Sequence, residues 1–249
     1  MDYIFIVIVG LCIGSFLNVC IYRIPNEQSI AFPASHCFNC NYKLKWKDLI
    51  PVFSYIILKG KCRNCGDKIS IQYPLIELIN GILYLCIYIQ YGYSLDTVKY
   101  MILTSIMIVI SIIDLKTMYV YLSTIIFSAS IGVVFLIIEW VQNGKIPLDK
   151  IIGAGIGLII IGLIVLLTGG MGEGDIEVAA VSGLFLGIKG ITFMLFTSFI
   201  IGGIVAGVLL FTKKKKGKSE IAFGPYLGIA TIISIFVGNN LIDLYLNLL

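Results

Sequence analysis

Histidine is almost absent from this chain, since His36 is the only one among 249 residues. A single histidine excludes the HExxH pair of a zinc metalloprotease. It also leaves no Ser–His pair inside the apolar segments for a nucleophilic serine. Catalysis by titrating side chains would therefore have to use carboxylates.

Charged side chains are scarce as well. They make up 13% of the residues, whereas a soluble domain carries about 25%. Hydrophobic residues account for 59% of the chain, and the mean hydropathy is +1.01. No basic stripe interleaved with aromatic residues lies outside the apolar runs, so nucleic-acid binding is not expected. The composition predicts an all-α membrane protein surrounded by lipid.

Apolar runs long enough to cross a bilayer recur along the chain. The first lacks a basic leading segment and a small-residue cleavage site, so we expect a membrane helix rather than a signal peptide. The pattern predicts about eight transmembrane helices, at 3–22, 74–91, 97–114, 119–140, 151–168, 176–188, 190–211 and 221–247.

The distribution of Lys and Arg predicts the orientation. With the N-terminus outside, fourteen of the 18 basic residues face the cytoplasm, including those between 23 and 73 and the Lys213–Lys216 run. This is the asymmetry that the positive-inside rule describes. Both termini are then outside, and the expected domains are a first helix at 1–22, a cytoplasmic loop at 23–73 and a helical domain at 74–249.

Two CxxC pairs lie in the polar loop, formed by Cys37 with Cys40 and by Cys62 with Cys65. Two such pairs typically offer four thiolates to Zn²⁺ in a tetrahedral arrangement. A loop this short buries too little apolar surface to fold well alone, and bound metal would supply stability. A disulfide or a redox pair is a weaker alternative. We predict a structural zinc-binding loop.

Two aspartates are placed for catalysis by their positions in the predicted spans. Asp114 ends the third span, and Asp175 opens the sixth within the sequence Gly172-Glu173-Gly174-Asp175. The predicted topology puts both at the cytoplasmic edge of the bilayer, where charged groups usually face a protein interior or a water-filled cavity. Two carboxylates in one dry pocket cannot both ionise, so one can activate water while the other donates a proton.

Simpler interpretations of these aspartates remain open. Either residue alone is typical of a helix cap. Paired intramembrane carboxylates and glycine-rich helices also occur in small transporters, whose sites lie near the bilayer midplane. Two aspartates at the same membrane face, one of them in a GxGD sequence, favour the catalytic interpretation. Gly172 and Gly174 are expected to let the backbone bend beside Asp175.

Five separated stretches, in order, resemble the bacterial type IV prepilin peptidase family. They are GSFLNVCIYRIP at 14–25, the two CxxC pairs, IQYPLIELING at 71–81, DLKTM from Asp114, and GMGEGD at 170–175 with AFGPYLG at 222–228. The resemblance implies an intramembrane aspartyl protease that removes a short basic leader from prepilins, with Asp114 and Asp175 as the catalytic pair. It further implies N-methylation of the new N-terminus from S-adenosylmethionine.

The chain departs from the family pattern at two positions. Tyr121-Leu122 replace the usual Pro-Asp, and Glu177 replaces a lysine two residues after the GxGD aspartate. A carboxylate at this position would attract a basic leader. Glu173 and Glu177 are therefore predicted to contact the substrate.

Overall fold

The computed structural model describes residues 2–212 and 221–247, and the regular secondary structure of this part of the chain is helical. Its only extended pairings are isolated antiparallel bridges between His36 and Lys43 and between Lys61 and Lys68. The predicted all-α class is therefore confirmed. Lys213–Lys216 and Lys218, which contribute to the predicted charge asymmetry, lie outside the described residues.

Nine α-helices account for most of the described chain. Their bounds are α1 Asp2–Arg23, α2 Phe53–Ile57, α3 Gln72–Tyr91, α4 Leu95–Thr117, α5 Leu122–Asn143, α6 Leu148–Thr168, α7 Glu173–Phe211, α8 Gly224–Ile233 and α9 Asn239–Asn247. A 3₁₀ turn at Trp46–Asp48 precedes α2, and a π-helical turn at Ser234–Gly238 joins α8 to α9.

Six of these helices are long and apolar enough to cross a membrane, namely α1, α3, α4, α5, α6 and α7. Large apolar side chains project outward from them, for example Ile4 at 68% exposed and Leu166 at 81% exposed. Exposed apolar surface on this scale is unusual for a soluble monomer and normal for a lipid-facing helix. The chain is thus a multi-pass membrane protein.

The spans predicted at 176–188 and 190–211 correspond to two helical parts of α7 that meet at a break at Gly187, close to the predicted boundary. Gly187 has φ 74° and ψ −174°, which is not helical. A left-handed φ of this kind is accessible to glycine without steric cost. Asp149 Oδ1 accepts the Ile188 N–H at 3.0 Å and so caps the part of α7 that follows the break.

The two parts of α7 have different neighbours. Before the break, Gly153 and Gly157 of α6 lie against the α7 backbone at Gly183 and Ala179. These glycines allow the close backbone approach that membrane helices use for packing. After the break, Ser234 Oγ donates to the Gly190 carbonyl oxygen at 2.8 Å.

The last predicted span, 221–247, is divided into three segments rather than one helix. α8 ends at Ile233, the π-helical turn follows, and α9 begins at Asn239. Ser234, the first residue of the turn, directs its hydroxyl to α7. π-helical turns commonly occur where such a side-chain interaction interrupts the regular pattern.

The chain divides into two compact units, Met1–Met101 and Ile102–Leu249, and the division falls inside α4. In the first unit, α1 and α3 pack closely. A Cβ added to Gly14 would lie only 2.7 Å from the Glu77 Cα, so glycine is needed at this contact. Asn80 Nδ2 of α3 also donates to the Gly10 carbonyl oxygen at 2.7 Å. The domain limits predicted at residues 22 and 73 stay a prediction.

A candidate paired-aspartate site

Asp114 lies in the last turn of α4 and is 5% exposed. Its Oδ2 accepts the Gly224 N–H at 2.9 Å, where α8 begins. The first N–H groups of a helix have no partner within the helix, and they carry the positive end of its dipole. The start of α8 therefore supplies a directed donor to a buried carboxylate.

Gly224 is needed at this contact because the backbone comes unusually close to Asp114. A Cβ at position 224 would lie 2.7 Å from Asp114 Oδ2. Pro225 follows in the first turn of α8, where proline fixes a helical φ without removing a needed donor. The role of Gly224 was not predicted from the sequence, although a Gly-Pro pair at the start of an apolar segment is a usable signal for a helix N-terminus.

Asp175 is the third residue of α7 and is also 5% exposed. Its Oδ2 accepts the Gly172 N–H at 3.1 Å, and its own N–H donates to the Gly172 carbonyl oxygen at 3.1 Å. This reciprocal pair ties the GxGD segment into the first turn of the helix. The simple capping interpretation of Asp175 therefore describes its contacts correctly.

The structure brings the two aspartates together inside the Ile102–Leu249 unit, close enough for their carboxyl groups to interact electrostatically. No cationic side chain pairs with either in the described ranges 2–212 and 221–247. Like charges in a buried site share a proton. Such a pair can accept a proton from water and donate one to a leaving group.

The two glycines of the GxGD segment differ in how much space a side chain would have at each position. A Cβ on Gly174 would lie 2.6 Å from the Val120 Cβ, in the connection between α4 and α5. A Cβ on Gly172 would meet only Asp175 Oδ2, at an ordinary 3.7 Å. Gly174 is therefore required by packing, whereas Gly172, with φ −74°, adopts a conformation open to other residues.

Glu173 and Glu177 line a shallow groove between α6 and the start of α7. The groove has a volume of about 360 Å³, and its other walls are Gly162, Val165, Leu166 and Ile176. Two carboxylates four residues apart face the same side of a helix. The structure thus places both predicted substrate-contacting residues in one groove, whose walls do not include Asp175.

The four loop cysteines converge on one point. Their Sγ atoms all lie within 4.8 Å of one another, with Cys37 to Cys65 at 3.8 Å and Cys40 to Cys62 at 4.0 Å. Zinc–sulfur bonds of about 2.3 Å in a tetrahedron require sulfur separations of about 3.8 Å. The four thiols therefore fit a tetrahedral metal ion.

The two CxxC segments have the same backbone geometry. The Cys37 N–H donates to the Tyr42 carbonyl oxygen at 2.9 Å, and the Cys62 N–H donates to that of Asp67 at 2.8 Å. Asn41 and Gly66, each directly after the second cysteine of its pair, have φ 54° and 75°. Asn and Gly are the residues that best tolerate this conformation, so the sequence encodes both turns locally.

Polar contacts support the loop around these cysteines. Asn64 Nδ2 donates to Cys40 Sγ at 3.6 Å, and this hydrogen bond is the main cause that lowers the pKa of Cys40 to about 6. Asp48 pairs with Arg63 at 2.6 Å. Although burial opposes ionisation of Asp48, hydrogen bonds from Arg63 and the Lys45 N–H lower its pKa.

Taken together, the helices and the carboxylate pair define a multi-pass membrane protein with a buried two-aspartate site. Comparison with known families is consistent with this class. Residues 8–91 match the bacterial peptidase A24 N-terminal domain, and residues 101–207 match the type IV leader peptidase family. Apart from residue 101, each match lies within one of the two compact units. The chain belongs to the type IV leader peptidase family, which confirms the resemblance.

Curated relatives are similar over nearly the whole chain. A prepilin leader peptidase/N-methyltransferase of Neisseria gonorrhoeae is 35% identical over 94% of this chain and 89% of its own length. A protein of the same name from Bacillus subtilis is 30% identical, with coverage of 97% and 96%. A type 4 prepilin-like proteins leader peptide-processing enzyme of Escherichia coli is 31% identical, with coverage of 92% and 91%. No solved structure matches the chain at a significant level.

Proposed function

We propose that this protein removes the leader peptide from type IV prepilins or pilin-like precursors at the cytoplasmic membrane face and then methylates the new N-terminal amine. The observation that carries the proposal is the buried pair of Asp114 and Asp175 in a chain of the type IV leader peptidase family. The relatives' names state both activities. The family membership favours this function over a transporter.

Asp114 and Asp175 act as one catalytic unit in this proposal. The ionised carboxylate takes a proton from water, and the water oxygen forms a bond to the scissile carbonyl carbon. The protonated partner donates to the carbonyl oxygen, and a proton passes to the nitrogen as the C–N bond breaks. The N–H groups of Gly224 and Gly172 hold one oxygen of each carboxylate in place, which supports a fixed orientation of the pair.

Methylation follows on the amine that cleavage releases. S-adenosylmethionine, when bound, would supply the methyl group to this nitrogen.

The membrane arrangement that we propose has eight crossings with both termini outside. Six long apolar helices, the break at Gly187 and the apolar segment Gly224–Gly238 support this count. The loop at 23–73 is then cytoplasmic, as are Asp114 and Asp175, in agreement with the distribution of basic residues. Prepilins approach this face, where the groove lined by Glu173 and Glu177 receives the basic leader.

The four loop cysteines hold a structural Zn²⁺ in this proposal. The sulfur separations and the two matching CxxC turns support a four-thiolate site without an open coordination position. The loop's largest side chains contribute little to a core, as Trp46 is 71% exposed. The metal therefore stabilises the loop and takes no part in hydrolysis.

The direct test is incubation of the purified protein, reconstituted in lipid, with a prepilin and S-adenosylmethionine. Mass spectrometry of the pilin should show loss of the leader and gain of one methyl group. Omitting S-adenosylmethionine should leave cleavage intact and abolish the methyl gain. An intact prepilin after prolonged incubation with well-folded protein would refute the peptidase assignment, and a cleaved but unmethylated product would refute only the second activity.

A further inference from the structure

The cysteine loop contains one long apolar segment. Residues 49–58 read LIPVFSYIIL and include α2, with no charged side chain between Asp48 and Lys59. A run of this length is too short to cross a bilayer, and it packs either into a protein core or into the membrane interface. The exposure of its side chains decides between the two.

Protein covers only one side of α2. Tyr55 and Leu58 line a cavity of about 690 Å³ within the first unit. On the other side, Phe53, Ile56 and Ile57 are 61%, 64% and 71% exposed. Their spacing of three and four residues places them on one helix face. A contiguous bare apolar face of this kind marks a contact with lipid or with another protein.

The segment lies beside the apolar part of α3. Glu77 Oε2 accepts the Val52 N–H at 2.7 Å. Glu77 is five residues beyond Gln72, where α3 begins, which is about 7.5 Å along the helix axis. Leu75 and Leu78 at this level of α3 are 51% and 42% exposed, as lipid-facing side chains are. Val52 and the start of α2 therefore lie at the depth of the lipid-facing surface.

α1 indicates the same depth. Gly14 lies at the level of Glu77, since a Cβ on Gly14 would be 2.7 Å from the Glu77 Cα. From Gly14, α1 continues for nine residues to Arg23, or about 13 Å. Both membrane helices thus extend past the level of Val52 toward the cytoplasmic face in the proposed orientation.

A segment in contact with lipid must satisfy its backbone polar groups within the protein. The turn before α2 meets this condition. Pro51 has no N–H, and the Val52 N–H donates to α3. The Phe53 N–H donates to the Pro51 carbonyl oxygen at 2.6 Å, and the Ser54 N–H donates to that of Ile50 at 3.0 Å. None of these positions leaves an N–H that needs water.

Aromatic and cationic side chains flank the apolar segment. Trp46 is 71% exposed, and the Lys47 ammonium lies 5.5 Å from its ring centroid. Lys59 follows the segment directly. Trp and Lys are side chains that anchor membrane proteins at the level of the lipid headgroups. Asp48 is paired with Arg63, so the net charge at the ends of the segment is positive.

We propose that residues 49–58 insert into the cytoplasmic leaflet of the membrane, with Phe53, Ile56 and Ile57 among the acyl chains and the flanking lysines at anionic headgroups. The inference uses the proposed orientation of the loop and goes beyond the proposed function. It assigns the loop a membrane contact of its own, in addition to its attachment to α1 and α3.

Charge favours lipid over a second copy of the chain as the occupant of this face. Residues 23–73 contain eight Lys or Arg and three Asp or Glu. The cytoplasmic leaflet carries anionic lipids, which attract basic segments next to the membrane. Two copies of the same basic loop would instead repel each other.

A lipid-soluble photoreactive diazirine tests the proposal in the wild-type, zinc-loaded protein in vesicles that contain phosphatidylglycerol. Cleavage after lysine releases peptide 48–59, with the whole segment, and peptide 62–68, with the second CxxC pair. Labelling per residue should be at least about fivefold higher in 48–59 than in 62–68, because an interfacial helix buries its apolar face among acyl chains. Peptide 117–145, which contains α5, provides the reference for full lipid contact.

Fluorescence quenching gives a second measurement. Ile57→Trp is introduced into a protein with Trp46→Phe and Trp140→Phe, which has no other tryptophan. Brominated phospholipids should quench the new tryptophan by more than about half, since it would lie at acyl-chain depth. Lys43→Trp is the matched control, because Lys43 is an exposed residue of the first CxxC segment. Its quenching should be several-fold weaker.

Equal labelling of 48–59 and 62–68, or equal quenching at positions 57 and 43, would overturn the inference. Label found only on the cavity-facing Tyr55 and Leu58 would show that the reagent had entered the cavity, and it would overturn the inference as well. The same holds if 48–59 is protected and copies of the chain crosslink through Phe53 or Ile57. Leader cleavage and methylation are measured separately, so these outcomes leave the proposed function intact.

Discussion

The two units hold buried carboxylates by the same type of contact but build it from different residues. In the second unit, Asp114 accepts an N–H from Gly224, whose missing side chain allows the close approach. In the first unit, Glu77 accepts an N–H from Val52, whose φ of 62° is unfavourable for valine. The second unit thus relies on a glycine to bring the backbone N–H close to the carboxylate. In the first unit, the surrounding contacts hold Val52 in a strained turn.

This difference matters because the two carboxylate sites have different charge balances. Asp114 and Asp175 are close enough to interact electrostatically, so a proton on one of them would reduce their repulsion. Glu77 has no second carboxylate among its described contacts, and it accepts hydrogen bonds from the Val52 N–H and the Ser15 hydroxyl. We therefore expect the second unit to be complete for hydrolysis before any cofactor binds.

The largest effect is expected from breaking the carboxylate pair. Asp114→Asn and Asp175→Asn should each reduce prepilin cleavage by at least about a thousandfold, and the double variant should be no worse than either. Neither amide can take the proton that a carboxylate accepts from water. Initial cleavage rates in reconstituted membranes provide the measurement.

Asp2→Asn is a suitable control for this pair, since Asp2 is exposed in α1. It should cleave at the wild-type rate, and all variants should insert and extract equally. If either Asp114→Asn or Asp175→Asn retained near wild-type cleavage, the catalytic pair would be misassigned.

Removing one cysteine thiolate should destabilise the loop, which depends on bound metal, and leave the membrane helices, which depend on packing. Cys62→Ser should lower the zinc content from about one ion per chain and expose the loop at 23–73 to proteolysis. The membrane helices should stay inserted, because their packing does not involve the cluster. Elemental analysis and limited proteolysis measure the two effects.

Cys86→Ser is the matched change outside the cluster, because Cys86 is an exposed residue of α3. It should keep the metal and the protease resistance of the loop. A Cys62→Ser protein with a full complement of zinc and a protected loop would contradict the structural role of the metal.

The glycines of the GxGD segment offer a sharper test within the second unit. Gly174→Ala should destabilise the protein by about 1–3 kcal/mol and impair cleavage, because the new methyl group would collide with Val120. Gly172→Ala should cost less than about 1 kcal/mol, since it has room and keeps its N–H. Thermal unfolding in detergent and cleavage rates measure both.

Gly203→Ala provides the reference for adding a methyl group to α7, as an added Cβ there meets nothing within 4 Å. It should be neutral or slightly stabilising, because alanine favours a helix over glycine by about 1 kcal/mol. Equal effects of the changes at 172 and 174 would show that Val120 does not limit the segment.

The smallest effect is expected in substrate preference. Glu177→Lys should reduce cleavage of a strongly basic leader several-fold more than that of a weakly basic one, through loss of charge attraction in the groove. High salt should narrow the gap, since exposed charges are screened. Competition between two prepilins in one reaction provides the measurement, and equal effects on both leaders would rule out this role for Glu177.

The sequence predicted the parts of the site that depend on local pattern. The CxxC spacing indicated the cysteine cluster, and Asn41 and Gly66 occupy the positions where the turns require a positive φ. The ends of apolar runs indicated Asp114 and Asp175. The long helices could also be predicted from composition. A lipid-facing helix needs a long apolar run, whichever neighbours it packs against.

The errors and omissions concern contacts between distant segments. Asp149 caps the helix after the Gly187 break by accepting the N–H of Ile188, which is 39 residues later in the chain. The π-helical turn involves a contact between Ser234 and Gly190. Neither pairing leaves a periodic signal. The same is true of the Gly224 donor, which is 110 residues from Asp114.

Composition and spacing by themselves determined that this is an all-α membrane protein with a four-cysteine loop and two aspartates at helix ends. These features follow from the solvent and from local backbone geometry, which act on neighbouring residues. Only the tertiary structure decided which N–H group reaches each buried carboxylate and where a cavity remains. Both depend on how close two helices can approach, and that distance is set jointly by side chains far apart in the chain.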